Sequence, residues 1–378
     1  MSDYRLIEVT GRKELLRFVK FPDKLYKNCP QYVPALHADQ VKTLTKDAAL
    51  QYCKHKMWMV TSGKEVVGRI CAIINPRYNK LYSKKNVRFG WFDCINDIKV
   101  AEMLLEAAET WGRQQGMDTI HGPLFYNTLG KQGMLVEGYD NIPPFNCIYN
   151  YPYYVKFIEK LGFEKECDWV QYCMKSQLGL PEKTKRLAKI LRQRYNLHFA
   201  DINRLVKDKA LVNKFFHTYS QSFMGEVYNF IPFTDAEIEQ EAKVIPPFVN
   251  NKNSVVLLDE EGEVAAFGIC LPSISKALQK AKGKLFPFGW IHLLRAQNDF
   301  STVDLLLNGA SPKWRHKGVS AIYFSEMAEK AKKYNYGDSI SNPQIESNSA
   351  ANIWKDYPDH SLFMRRRCYI KTIASGHI

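Results

Sequence analysis

Two stretches of this chain carry the same succession of local signals, and any fold must accommodate both. In the first, Met57 to Asn75 reads MWMVTSGKEVVGRICAIIN, two apolar β-prone runs around Ser62-Gly63-Lys64, which is a hairpin pattern. A third run, Val87 to Ile95, precedes Asp97, which can cap a helix whose Val100, Met103, Leu104, Ala107, Ala108 and Trp111 recur at helical spacing until Gly116 stops it. A strand over Thr119 to Phe125, a helix from about Pro152 to Leu161 and a strand from about Asp168 to Met174 complete the set. The second stretch follows a basic helix, Glu182 to Arg194. Val255–Leu258 and Val264–Leu271 flank the turn Asp259-Glu260-Glu261-Gly262; then come strand Val303–Ala310, helix Gly318–Lys333, a strand near Asp338–Asn342, a helix near Ser349–Lys355 and strand Leu362–Ile370. The repetition predicts two α/β domains of similar topology, 1–176 and 177–378. Pro272 to Phe300 has no counterpart in the first half and is expected to be a helical insertion, covering a sheet edge or a substrate groove.

The 378 residues are 46% hydrophobic and 24% charged, a packed globular mix that excludes disordered and collagen-like chains. Lysine and arginine (53) exceed aspartate and glutamate (39), giving +14 and favouring an anionic partner, whether nucleic acid, an acidic membrane surface or a phosphorylated cofactor. The amino terminus does not read as a signal peptide, and no apolar run reaches the length of a membrane span. Nine scattered cysteines with no Cys-x-x-Cys pair fit a reducing cytoplasm and predict no metal.

The most specific local signal is NGASPKWRHKGVS, Asn308 to Ser320, between a predicted strand and a predicted helix. A chain that turns there into a helix presents unpaired backbone N–H groups and the positive end of the helix dipole, a geometry that binds phosphate. Gly318 permits close approach, Ser320 is small, and Lys313, Arg315, His316 and Lys317 add donors or charge.

With Ala310-x-Pro312-x-Trp314-Arg315-x-x-Gly318-x-Ser320, the chain resembles the GCN5-related N-acetyltransferases, which transfer an acyl group from acyl-coenzyme A. The resemblance implies tandem domains, each a mixed, mostly antiparallel sheet flanked by helices, and acetyl-CoA or another acyl-CoA as donor. It implies that the amides of Arg315, His316, Lys317, Gly318, Val319 and Ser320 hold the diphosphate and that the strand at Asn308, Gly309 and Ala310 pairs with the pantetheine arm. Asn348-x-x-Ala351 before FMRRRCYI looks like the family's second motif, with Asn348 at the pantetheine or the reacting centre, or simply capping a helix. The first half fits less well: its corresponding turn, Asn96-Asp97-Ile98-Lys99, lacks the glycine pattern, and Asp97 would repel a diphosphate, so it reads as a degenerate copy. Its NYPYYVKFIEKLGF, from Asn150 to Phe163, does look like the family's closing helix.

The implied reaction is direct attack of a small-molecule or peptide amine on the thioester. A strand amide at Gly309 or Ala310 would polarise the carbonyl, with Tyr357 as candidate acid and Glu226 as candidate base. Thr234-x-x-Glu237 reads as a capping box. The aromatics Tyr149 to Tyr154 either line a pocket or pack a loop. Alternatives are an aminoacyltransferase using charged tRNA, and a non-catalytic acyl-CoA- or RNA-binding protein.

Overall fold

The computed structural model describes residues 3–176, 179–244, 248–347 and 359–373. In chain order the elements are β1 (Tyr4–Glu8), α1 (Arg12–Leu25), α2 (His37–Lys46), β2 (Lys54–Ser62), β3 (Glu65–Ile74), α3 (Pro76–Leu81), β4 (Asn86–Cys94), α4 (Ile98–Gln114), β5 (Thr119–Gly122), β6 (Met134–Glu137), α5 (Tyr153–Lys160) and β7 (Glu164–Lys175). They continue as α6 (Glu182–Arg194), β8 (His198–Phe199), α7 (Ile202–Leu205), α8 (Lys209–Phe223), α9 (Asp235–Val244), β9 (Ser254–Leu258), β10 (Val264–Pro272), α10 (Ser275–Ala281), α11 (Gly289–Ala296), β11 (Thr302–Ala310), α12 (Val319–Lys333), β12 (Asp338–Ser341), β13 (Gln344–Ile345) and β14 (His360–Thr372).

The chain forms two compact units, and they interleave. Unit 1 gathers Met1–Trp169, Ser275–His292 and Met364–Ile378; unit 2 gathers Val170–Ile274 and Leu293–Phe363. The division therefore does not follow a single cut at 176/177, and residues 275–292 of the expected second-half insertion belong to unit 1. In unit 1, β1 to β4 form an antiparallel meander, β5 joins β4 in parallel, and β14 closes the series antiparallel to β5, from Tyr369↔Gly122 to Thr372↔Thr119. Unit 2 has the same plan: β8 to β11 are antiparallel, β12 joins β11 in parallel, and the second half of β7 closes it antiparallel to β12, from Asp338↔Lys175 to Ile340↔Cys173. Each sheet is mixed and mostly antiparallel.

Strand alternation sets the cores. On β2 of unit 1, Trp58 and Val60 face α4 and α5, packing with Ile70, Phe89 and Leu104, whereas Met57 and Met59 face α1 with Phe18, Ile73 and Trp91. Each such buried side chain contributes about 1.5–3 kcal/mol. In unit 2, Val255, Leu257 and Ala266 pack with Val319, Ile322 and Tyr323 of α12 and Ala188 of α6. On the other face Phe267 meets Phe215 and Tyr219 of α8, with ring centroids 4.9 and 6.1 Å away. Of α6's cations, Lys185 pairs with Glu182 and Glu329, and Arg192 lies over Phe199.

Candidate functional site

The site of unit 2 starts with an interrupted ladder. From Val303 to Leu305, β11 is paired on both sides, with β10 and with β12. Its pairing with β12 ends at Leu305↔Ser341, while pairing with β10 continues through Ile269↔Leu307 to Ala266↔Ala310, leaving Leu306 as an extra residue in a bulge. Bulges bend a strand and end pairing on one side. Among the described residues, Asn308, Gly309 and Ala310 therefore keep one backbone edge without a strand partner, a place where an extended amide-bearing chain can add by β-augmentation.

The chain then enters α12. Ser311 donates its N–H to Ala265 O at 2.9 Å, a short turn runs through Pro312–Trp314, and two left-handed residues, His316 (φ 57°) and Gly318 (φ 73°), redirect the backbone. Gly318 is the N-cap, and among the described residues no side chain caps this helix; Ala321 N–H closes on Gly318 O at 3.0 Å, which leaves the N–H groups of Val319 and Ser320 at the helix mouth for a ligand. A Cβ at Gly318 would come within 2.9 Å of Leu191 Cδ1. Two expected phosphate donors have other partners. Lys313 binds Asp259 at 3.1 Å and Glu261 at 2.8 Å; Arg315 donates to the carbonyls of Gln221 and Ser222, each at 2.8 Å, and to Glu226 at 3.2 Å. The Arg315 N–H is also taken, by Ser311 O at 3.1 Å, so what the turn leaves for an anion is the backbone at the helix mouth, with His316 and Lys317 beside it. These residues fit a diphosphate through amides and dipole rather than through the arginine side chain.

Beneath α12, a pocket with about 590 Å³ of atom-free space, partly open to solvent, is lined by Gly268, Cys270, Leu305, Leu307, Tyr323 and Met327. Most of its lining is apolar. On β11, Val303 and Leu305 pack toward α12, so by alternation Asp304 faces the opposite side of the sheet. Asp304 is buried, and among the described residues neither carboxylate oxygen has a hydrogen-bond partner within bonding distance and angle, while Ser273 lies near enough to ease its charge. Burial pushes its pKa up to about 7. Sequence reading passed over this residue because VDLLLNGA reads as an apolar strand, and one acidic letter does not show whether it lacks a partner.

Glu226, the expected base, is exposed and ion-paired to Arg315 just beyond α8. Tyr357 and Asn348 lie outside the described residues. Thr234 and Glu237 form the reciprocal capping box, with Glu237 N–H on Thr234 Oγ1 at 3.2 Å and Thr234 N–H on Glu237 Oε2 at 2.8 Å. Tyr153 and Tyr154 pack the core of unit 1 and bond the backbone of Cys94: Tyr153 donates to its carbonyl at 2.7 Å, and Tyr154 accepts from its N–H at 2.9 Å.

The equivalent place in unit 1 is filled by its own chain. Pairing of β4 with β5 ends at Arg88↔His121, but Leu124 then donates to Phe89 O at 2.8 Å, Arg88 Nη1 binds the carbonyls of Phe125 and Tyr126, and Phe125 stacks 3.6 Å from Trp91. At the mouth of α4, the Asp97 carboxylate accepts from Lys99 N–H at 3.0 Å and from Tyr4 OH at 2.8 Å, placing negative charge where a diphosphate would sit. Unit 1 also brings His121, Glu166 and Cys368 together within 4.8 Å. His121 Nδ1 and Cys368 Sγ each lie 3.2 Å from one Glu166 oxygen, and burial pushes the thiol up and the imidazole down, so both favour neutral forms that suit a hydrogen-bond network.

No family model matches the chain. It is 28% identical over 286 residues to Protein YghO of Escherichia coli, covering 75% of this chain and 72% of that one. It is also 28% identical over 312 residues to the bacterial ceramide synthase of Caulobacter vibrioides, covering 78% and 76%. Among solved structures, a tandem GNAT protein from the clavulanic acid biosynthesis pathway superposes with a TM-score of 0.57 at 9% identity, covering 99% of this chain and all of that one. The GCN5-related glucosamine N-acetyltransferase region of a fungal β-N-acetylglucosaminidase also gives 0.57, at 12% identity, over 98% of this chain but only 38% of that multi-domain protein. A GCN5-related N-acetyltransferase from Sphaerobacter thermophilus gives 0.51 at 8% identity, covering 99% and 96%. The fold is thus that of the GCN5-related N-acetyltransferases.

Proposed function

We propose that this chain is an N-acyltransferase whose unit 2 binds acyl-coenzyme A and passes the acyl group to an amine. The observation that carries the reading is the open edge of β11 at Asn308–Ala310, contiguous with the uncapped mouth of α12. A thioester donor supplies an activated carbonyl. The amides at Val319 and Ser320 would hold its diphosphate, the free edge of β11 its amide-bearing arm, and the N–H of Gly309 or Ala310 its carbonyl oxygen. Asp304, just before the bulge and on the sheet face away from the apolar pocket, takes the proton from the attacking amine; its pKa near 7 suits that task near neutral pH. It replaces Glu226 in that role because Glu226 is held by Arg315. Tyr357 and Asn348 keep the acid and pantetheine roles that the resemblance implies.

For the acceptor, similarity to a protein called bacterial ceramide synthase supports a long-chain lipid amine, and the mainly apolar lining under α12 supports a fatty-acyl donor. Unit 1 is proposed as a copy that does not bind the donor, since Leu124–Tyr126 take the edge it would need. Nine cysteines with no disulfide among them support a reducing compartment. The test is a panel of acyl-CoA donors, from acetyl to palmitoyl, against amines that include a long-chain sphingoid base, followed by thiol release and product mass. Amide product is expected, with turnover falling about 10²- to 10⁴-fold in Asp304→Asn and less than about tenfold in Glu226→Gln. Thermal stabilisation by acyl-CoA with no thiol release from any amine would overturn transfer in favour of a binding role.

A further inference from the structure

Residues 275–292 carry a second feature, which the acyl-transfer reading does not use. α10 is fastened to unit 1: Ala277, Leu278 and Ala281 are buried, Ser275 Oγ donates to Pro143 O at 2.8 Å, and Gln279 Nε2 donates to Pro30 O at 2.7 Å. Next, His37 N–H donates to Gly283 O at 2.9 Å. The chain then turns outward. Phe286 is 73% exposed, Phe288 68% and Trp290 42%, and Leu294, one turn further along α11, is 52% exposed. The tip is shaped by its own bonds, Trp290 N–H to Leu285 O and the Trp290 indole N–H to Pro287 O, both at 2.9 Å. Single exposed apolar side chains are ordinary; four within nine residues on a braced turn mark an interaction surface.

Charge selects the occupant. From Val264 to Asn298 the sequence contains no aspartate or glutamate, whereas Lys276, Lys280, Lys282, Lys284 and Arg295 flank the tip along the chain, all exposed. An apolar, aromatic projection flanked by exposed cations matches the boundary between anionic head groups and acyl chains, with aromatic rings below and ammonium groups at the phosphates. A second copy of this chain on the same patch would bring two cationic segments together and be repelled. No helix among the described residues is long and apolar enough to cross a membrane. We propose that the Phe286–Trp290 tip docks this protein on the surface of an anionic lipid bilayer, its aromatic side chains entering the head-group region and its lysines meeting lipid phosphates.

The inference needs only this tip and stands apart from acyl transfer. The full chain is sedimented with phosphatidylcholine vesicles containing about 30% phosphatidylglycerol and with pure phosphatidylcholine vesicles. Binding to the anionic vesicles is expected to be at least about tenfold tighter and to weaken with added salt. The pair Phe286→Ser/Phe288→Ser and the pair Lys280→Glu/Lys284→Glu should each reduce it by about tenfold or more, with melting temperature unchanged because these side chains are exposed. Absence of binding to anionic vesicles, or wild-type binding by both pairs, overturns the proposal. So does sedimentation equilibrium showing a dimer that the Phe286→Ser/Phe288→Ser pair abolishes, which would assign the patch to a second copy.

Discussion

A carboxyl group that burial has pushed up to about 7 titrates where an amine acceptor must lose its proton, and the same shift leaves a trace in stability. An aspartate in the unfolded chain titrates near about 3.9. Between these two values folded Asp304 holds a proton that the unfolded chain has released, so stability falls as pH rises across that window and levels off above it. The full effect is at most about 4 kcal/mol. Asp304→Asn has nothing to titrate there, so its melting temperature should gain on wild type as pH rises from about 4 to about 7, measured by calorimetry in a pH series. A constant difference would show that Asp304 does not carry the shift. Turnover should rise through the same range in wild type, since the ionised form is the proposed base.

Among the elements, the connection from β11 to α12 is built on Arg315, which satisfies two carbonyls at the end of α8 and the Glu226 carboxylate. Arg315→Ala should lower the stability of unit 2 by about 2–4 kcal/mol, because charge-assisted bonds to otherwise unpaired carbonyls are lost; denaturant unfolding measures it. Lys317→Ala lacks those bonds to lose and should weaken coenzyme A binding with little change in stability, as titration calorimetry would show. Much of this region is legible from letters: strand Val303–Ala310, the Gly318 turn and the α12 face follow from local apolar spacing and one glycine. The assignment of Arg315 to α8 is not, because α8 lies about ninety residues earlier and nothing local in the sequence pairs them. The ends of β11's two ladders are likewise unreadable, since they depend on a bulge at Leu306 that an apolar run does not disclose. In the first half, Pro22 masks α1 in the sequence, although its Leu15, Phe18 and Val19 follow helical spacing.

For the whole molecule, the two repeats in sequence correspond to the strand sets of the two units, but sequence order does not say which strand closes which. β14 lies beside β5 and β6 of unit 1, through pairs such as Ile370↔His121 and Arg367↔Met134, while Val170–Lys175 of β7 goes to unit 2. Register between strands some 250 residues apart is set by packing and by contacts such as the Arg367–Asp168 pair, bonded at 2.8 and 3.0 Å. A chain ending at Phe363 should lose amide-exchange protection at Thr119–Gly122 and Met134–Glu137 before any other strand, which hydrogen–deuterium exchange resolves. Retained protection there would mean that β14 does not hold unit 1 together.

That closing strand also imposes a timetable on biosynthesis. As the polypeptide emerges from the ribosome, β5 is made well before its neighbour β14, so it waits with an open edge until the whole of the second repeat has been synthesised. Slower elongation would prolong that wait, and nascent chains of this protein should depend on cellular folding helpers more heavily than a chain whose first half closes on itself.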